Sequence, residues 1–208
     1  MSYTPHNQPI RAPPVHSDYE LIDGDPYFFK VLRYFRSSDY LNWGILTATP
    51  PILMKLWEHY EPHQGKGRKP IPMSGMTLRA ATSIGFFGGF FLAYIKTARR
   101  FLGWEENSTE VSKDRFEMKK LLSEGIPPYF EHLSSLDDRT KDVSNRNSQY
   151  SVAMLFLLPW FNLSYHPYHQ VDLKKYYEVR PGEEDWKFDL KPLDEIYGKY
   201  NLRKPTVN

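Results

Sequence analysis

The segment Met76–Ile95, MTLRAATSIGFFGGFFLAYI, constrains the fold of this chain more than any other. Between Arg79 and Lys96 lie 16 uncharged residues, and Arg79 is close enough to the end of the run to extend towards lipid head groups. The four phenylalanines in this run argue against the alternative that it is a core helix of a soluble protein. We therefore predict that this segment is a membrane-spanning helix.

Three glycines in the same run indicate close helix packing. Gly85 and Gly89 have the G-x-x-x-G spacing, and Gly88 stands beside them. In water each glycine costs a helix about 1 kcal/mol relative to alanine, whereas in lipid a glycine lets a second helix approach closely. The spacing alone arises by chance in glycine-rich apolar runs, so its specificity is low. We expect Gly85, Gly88 and Gly89 to pack against another helix.

A second apolar run, Tyr40–Trp57, has 18 residues and a single charge, Lys55, near its end. As a helix it is roughly 27 Å long, which is marginal for a hydrocarbon core of about 30 Å. Pro50 and Pro51 should kink it, and a buried core helix is the alternative. Tryptophans near membrane boundaries act as interfacial anchors, and we assign that role to Trp43, Trp57, Trp104 and Trp160.

The two runs predict an α-class membrane protein with a two-helix transmembrane hairpin. A proline- and glycine-rich link, Glu58–Gly75, joins them and carries a basic cluster. This cluster suits either a solvated loop or contact with anionic phospholipid head groups, including cardiolipin. We extend the same expectation to the cations that follow the second run. The predicted head-group contacts are Lys66, Arg68, Lys69, Lys96, Arg99 and Arg100.

The flanking sequence is polar and rich in proline. Asp25 and Pro26 are typical of a helix start, Asn107 with Glu110 resembles a capping box, and Gly125 is a stop signal. Val152–Leu158 is too short to span and should be interfacial or protein-buried. The predicted layout is an extended arm (1–17), an amphipathic interfacial helix (18–39), a first span (40–60), a basic loop (61–75), a second span (76–100), and a helix with an extended tail lying on partner subunits (101–208).

The sequence contains no recognisable catalytic constellation. The absence of cysteine excludes disulfides, thiolate zinc sites and thiol nucleophiles, and a net charge of +2 argues against a broad basic nucleic-acid surface. His166 and His169 flank Pro167-Tyr168, with no pair of carboxylates nearby in sequence. We expect them to hydrogen-bond in a loop, and keep a metal-dependent membrane enzyme as the alternative.

Three stretches of the chain resemble a known family. They read DYELIDGDPYFFKVLRYFRSSDYLNWG, LRAATSIGFFGGFFLAYIKTARRFLGWEENSTEVSKDRFEMKKLL and RNSQYSVAMLFLLPWFNLSYHPYHQVDLKKYY. Together they resemble the fungal "21 kDa" accessory subunits of mitochondrial NADH:ubiquinone oxidoreductase, respiratory complex I. The match covers roughly residues 18–178. Its most specific pieces are Asp39-Tyr40, Gly88-Gly89-Phe90, Gly103-Trp104-Glu105 with Asn107, Pro159-Trp160-Phe161-Asn162 and His166-Pro167-Tyr168-His169.

The resemblance implies a supernumerary subunit of the mitochondrial inner membrane, without redox centres or other cofactors, packed on the membrane arm. Such subunits support assembly and stability of the complex, and they contact other membrane-arm subunits and phospholipids. The family offers no catalytic residue to transfer to this chain. A small inner-membrane adaptor, soluble in isolation, remains the other alternative.

Overall fold

A computed structural model describes residues 17–60 and 73–202. The predicted proline-rich arm and the loop cations Lys66, Arg68 and Lys69 lie outside the described residues, apart from Ser17. The described part is mostly helical, and its only β pairing is an isolated parallel bridge between Tyr27 and Asn162. The chain divides into two compact units: unit 1 combines 1–31 with 98–208, and unit 2 is Leu32–Thr97.

Seven α-helices lie in the described residues. They are α1 (Phe28–Arg33), α2 (Ser37–Tyr60), α3 (Gly75–Phe101), α4 (Ser108–Glu124), α5 (Asp138–Asn147), α6 (Ser151–Leu157) and α7 (Leu193–Lys199). Short 3₁₀ turns occupy Glu131–Leu133, Ser148–Tyr150 and Leu173–Tyr176.

Unit 2 consists largely of the antiparallel pair α2 and α3. At one end of the pair, the buried Asp39 carboxylate accepts a hydrogen bond from the Arg36 N–H at 2.8 Å and one from the Thr97 hydroxyl at 3.4 Å. At the other end, Glu58 accepts a hydrogen bond from the Met73 N–H at 3.1 Å. These contacts join the start of each helix to the end of the other.

Only one helix in the described part of the chain, α3, is long and apolar enough to cross a membrane. The predicted second span corresponds to this candidate helix, whereas α2 is a continuous helix that lacks the same apolar composition. Pro50 and Pro51 lie inside α2 without ending it. The fold is thus helical with one candidate span.

The predicted interfacial helix over 18–39 is much shorter than expected. Only Phe28–Arg33 form α1, and residues 17–26 are bends and irregular chain. Asp25 does not act as a helix cap, because its side chain is bound to His166 and Trp160. Tertiary contacts have replaced the local capping that the sequence indicates.

Unit 1 has a hydrophobic core of its own, so the described part of the predicted extended tail is folded, and its contact with partner subunits stays a prediction. The 3₁₀ turn Leu173–Tyr176 and helix α7 pack apolar side chains against α4. Gly125 ends α4 as predicted, with φ +71°. Asn107 does not cap α4 but donates to the carbonyls of Glu20 and Arg100 at 2.8 and 2.7 Å. The core comprises Met118, Leu122, Tyr129, Leu173, Tyr176, Ile196 and Tyr197.

Candidate interaction sites

A stripe of small residues runs along one face of α3. Its members recur every fourth position and are all buried, which is the pattern that lets helix backbones approach closely. Gly85 and Gly89 were identified from the sequence, whereas the remainder were missed, although the same spacing of four indicates them. The complete stripe is Ala81, Gly85, Gly89, Ala93 and Thr97.

The three predicted packing glycines have different surroundings. A Cβ atom on Gly85 would lie 2.5 Å from the Leu46 carbonyl oxygen and 2.9 Å from that of Thr47, both backbone atoms of α2. A Cβ on Gly89 would lie 2.9 Å from Cδ1 of Trp43. At Gly88 no described atom would come within 4 Å. Gly88 therefore takes no part in the contact between α2 and α3.

The predicted tryptophan anchors are placed differently from one another. Trp43 is half-buried against α3, and its indole N–H donates to the Phe86 carbonyl oxygen at 2.9 Å. Trp57 is 73% exposed. Trp160 is half-buried and donates to Asp25 at 3.0 Å, so that it holds two parts of unit 1 together, and Trp104 is half-buried.

Arg100, which was predicted to contact head groups, is buried inside the protein. Its side chain is 2% exposed and pairs with the buried Glu110 of α4 at 3.4 Å. The guanidinium neutralises the charge of the buried Glu110 carboxylate. Lys96 and Arg99 are half-buried, so head-group contact remains a prediction for those two cations.

His166 and Asp25 form the first half of a buried polar network in unit 1. The Tyr168 N–H donates to Nδ1 of His166 at 3.2 Å, which puts the proton of the neutral ring on Nε2. Nε2 lies 3.1 Å from Asp25 Oδ2, the acceptor available to it, and 3.0 Å from the Asn162 amide nitrogen. Burial lowers the pKa of His166, which favours this neutral form. His166 therefore acts as a hydrogen-bond donor to the Asp25 carboxylate.

His169 and Asp23 form the second half of the network. Nδ1 of His169 lies 2.5 Å from Asp23 Oδ1, and Nε2 lies 2.9 Å from the His166 carbonyl oxygen. Since both partners are acceptors, an imidazolium satisfies both bonds. Burial raises the pKa of Asp23, but the charges of His169 and Lys30 outweigh it and lower this pKa to about 2. The pair is an internal ion pair.

The two histidine rings stack on each other, with centroids 4.7 Å apart, and Tyr129 stacks on His169 at 3.7 Å. All four ring nitrogens are already engaged in hydrogen bonds to this chain. No group of three or more His, Asp or Glu side chains within 17–60 and 73–202 is arranged to hold a metal ion. Because the histidine nitrogens are used in hydrogen bonds within the chain, the network is best suited to a structural role.

A second buried ionic cluster holds the chain after Tyr176 against α4. Arg115 forms a bidentate ion pair with Glu183, and Lys119 lies 2.7 Å from the same carboxylate. The Arg115 hydrogen bond, followed by other contacts that outweigh burial, lowers the pKa of Glu183 to about 2. Arg115 also donates to the carbonyls of Lys175 and Glu178 at 2.9 and 2.8 Å. Nothing local in the sequence indicates this cluster.

Comparison with known proteins gives two family matches and one curated relative. Residues 16–106 match the family model for the NADH-ubiquinone oxidoreductase complex I 21 kDa subunit, and residues 115–203 match the model for the C-terminal part of that subunit. The chain is 38% identical over 169 residues to the NADH-ubiquinone oxidoreductase 20.9 kDa subunit of Neurospora crassa. That alignment covers 81% of this chain and 86% of the relative.

Proposed function

The chain belongs to the 21 kDa subunit family of NADH-ubiquinone oxidoreductase (complex I), and from this we propose how it serves the complex. As a family member it is a mitochondrial accessory subunit of the respiratory chain, its partners are other complex I subunits, and it is not itself the catalytic enzyme. We propose that it is anchored in the inner membrane by α2 and α3, and that it supports assembly and stability of the membrane arm.

The membrane hairpin is supported chiefly by backbone hydrogen bonds between the segment that precedes α1 and the chain at and beyond the end of α3. The Ile22 N–H donates to the Phe101 carbonyl oxygen at 2.9 Å, and the Gly24 N–H donates to that of His169 at 2.8 Å. These bonds support the proposal that the described residues before α1 and after α3 share one side of the membrane. If α3 crosses, the chain must cross once more to restore this arrangement, and α2 has 24 residues, about 36 Å of helix.

The exposed surface of α2 and α3 supports the same proposal. Large apolar side chains that are more than half exposed occur along both helices, and a bilayer or neighbouring subunits would cover them. The modest hydropathy of α2 suits a helix that is covered partly by protein. The exposed residues include Leu41, Ile45, Ile52, Leu53, Trp57, Ile84, Phe87 and Leu92.

The polar groups of unit 1 support a scaffolding role. His166 and His169 are bound to Asp25 and Asp23, and Arg115 and Lys119 are bound to Glu183, so these groups hold the unit together. We propose that Lys96 and Arg99, together with Lys66, Arg68 and Lys69 of the loop, contact phospholipid head groups, cardiolipin among them.

Membrane topology can be tested with single cysteines, because the chain has none of its own. We expect Asp18→Cys and Glu178→Cys to react with an impermeant maleimide from one side of the inner membrane, and Tyr60→Cys to react from the other. All three positions are exposed. Labelling of all three from the same side would refute the hairpin. Release of the chain by carbonate would favour the adaptor alternative instead.

The assembly role is tested by deleting the gene and resolving the complex on native gels. We expect less fully assembled complex, with NADH oxidation per assembled complex unchanged, because the chain supplies no redox group. Reintroducing the chain should restore the amount of complex. An unchanged amount of complex in the deletion strain would contradict the assembly role and leave the topology result standing.

A further inference from the structure

One face of α3 carries a shallow groove of about 550 Å³. The groove is distinct from the small-residue stripe, because none of its described lining residues belongs to that stripe. Its described walls combine a cation, two hydroxyls and apolar side chains in order along the helix. The lining residues are Leu78, Arg79, Thr82, Ser83, Phe86 and Phe87.

Arg79 is the charged group of this groove. It is exposed, and its guanidinium forms no ion pair or side-chain hydrogen bond with any residue that the structure describes. The carboxylates of the α2–α3 pair are engaged elsewhere. Asp39 binds the Arg36 N–H at the far end, and Glu58 binds Lys55 at 2.8 Å and the Met73 N–H. An external anion is therefore the natural partner of Arg79.

The hydroxyls beside Arg79 do not compete for that anion. Thr82 donates to the Leu78 carbonyl oxygen at 2.9 Å, and Ser83 donates to that of Arg79 at 3.0 Å. Their hydrogens are thus used within the helix, and a bound phosphate would depend on the guanidinium. The hydroxyls provide a weakly polar zone between the charged end of the groove and its apolar end.

Phe86 and Phe87 form the apolar end. Phe87 lies eight positions beyond Arg79, which corresponds to about 12 Å along the helix and towards the centre of the apolar run. Phe86 and Phe87 are 44% and 56% exposed. A cation, a weakly polar zone and an aromatic zone thus follow one another in the order of phosphate, glycerol ester and acyl chain in a phospholipid.

We propose that this groove binds one phospholipid, with its phosphate on Arg79 and an acyl chain along Phe86 and Phe87. The inference rests on the proposed membrane crossing by α3 and adds a defined lipid site to it. The site lies on the surface of α3, and it assigns one bound lipid to Arg79, for which the sequence indicated only a general reach towards head groups.

Native mass spectrometry of the full chain, released from detergent micelles containing phosphatidylglycerol, can count the bound lipid. We expect Arg79→Gln to lower the singly bound fraction about tenfold, the ratio that follows from losing one charge-assisted hydrogen bond. Arg79→Lys should restore part of it, and Phe87→Ala should lower it with the guanidinium intact. Ile84→Ala is the matched control, because Ile84 is 71% exposed on the same helix outside the groove.

Equal lipid retention in Arg79→Gln and the unchanged chain would overturn the proposal, as would an equal loss in Ile84→Ala. Displacement of the lipid by inorganic phosphate at the same concentration would also overturn it, since the acyl chain would then add nothing to the affinity. Carbonate extraction of the same variants separates the two proposals. A chain that resists extraction but retains lipid without Arg79 refutes the groove and leaves the membrane crossing in place.

Discussion

Replacing each glycine of α3 by alanine gives a sharp test of the helix contact. Alanine adds the same methyl group and the same helix propensity at every position, a gain of up to about 1 kcal/mol in a helix interior. Differences among Gly85→Ala, Gly89→Ala and Gly88→Ala therefore report the space beside each residue. We expect Gly85→Ala to be the most destabilising and Gly88→Ala to be neutral or stabilising.

The magnitude follows from the distances. At Gly85 the new Cβ would lie 2.5 Å from the Leu46 carbonyl oxygen, whereas ordinary contact begins near 3.4 Å, so the α2 backbone must move by most of an ångström. Overpacking of this kind costs about 1–3 kcal/mol. At Gly89 the nearest atom, at 2.9 Å, is in the Trp43 side chain, which can shift, so the cost should be smaller. Gly88 has open space around it.

The assay is an SDS titration of the purified chain in maltoside micelles. The near-ultraviolet circular dichroism reports aromatic packing, in which Trp43 lies against Phe86 and Phe90 with ring centroids 5.0 and 5.4 Å apart. Gly85→Ala should unfold at a lower SDS fraction than Gly88→Ala, by the equivalent of about 1–3 kcal/mol. Equal midpoints for the two variants would refute the close contact at Gly85.

Three further substitutions test the polar contacts. Asp23→Asn should lower the free energy of unfolding by about 3–5 kcal/mol in a denaturant titration, because it leaves the buried His169 imidazolium unpaired. Since the pKa of Asp23 is lowered to about 2, its stabilisation is complete above about pH 4 and lost as the pH falls towards 2, and the variant should lack this acid limb. Glu183→Gln should speed proteolytic cleavage of the chain that follows Tyr176, because Arg115 loses its carboxylate partner. An unchanged rate would contradict the role of this ionic cluster in holding that chain against α4. Trp43→Phe should cost about 1 kcal/mol in the SDS titration, since one hydrogen bond is lost.

The sequence predicted those features whose cause is local. The length and apolarity of α3, its G-x-x-x-G spacing and the stop at Gly125 all depend on residues within a few positions of one another. Gly88 illustrates the limit of that reasoning. It is adjacent to Gly89 in sequence but about 100° away around the helix. The glycine-rich composition therefore suggested Gly88 as a packing residue, whereas the contact with α2 does not involve it.

The features that the sequence did not indicate depend on partners in other elements of the chain. Arg100 was expected to meet lipid because it follows an apolar run, yet its partner Glu110 is in the next helix. Asp23 and His169 are 146 positions apart, and no pattern in either segment indicates the other. The tail was expected to be extended because its average composition is polar. Leu173, Ile196 and a few tyrosines were nevertheless enough to close a core on α4.

The discontinuous make-up of unit 1 has a consequence for the order in which the protein matures. Several backbone groups of residues 17–27 find their partners only at Phe101 and Gly103, and the carboxylates of Asp23 and Asp25 meet His169 and His166 only once that part of the chain has been made. The helical pair of unit 2 is complete before that point. Closure of unit 1 is thus a late step, and a chain truncated before His166 would leave the carboxylates of Asp23 and Asp25 without their histidine partners.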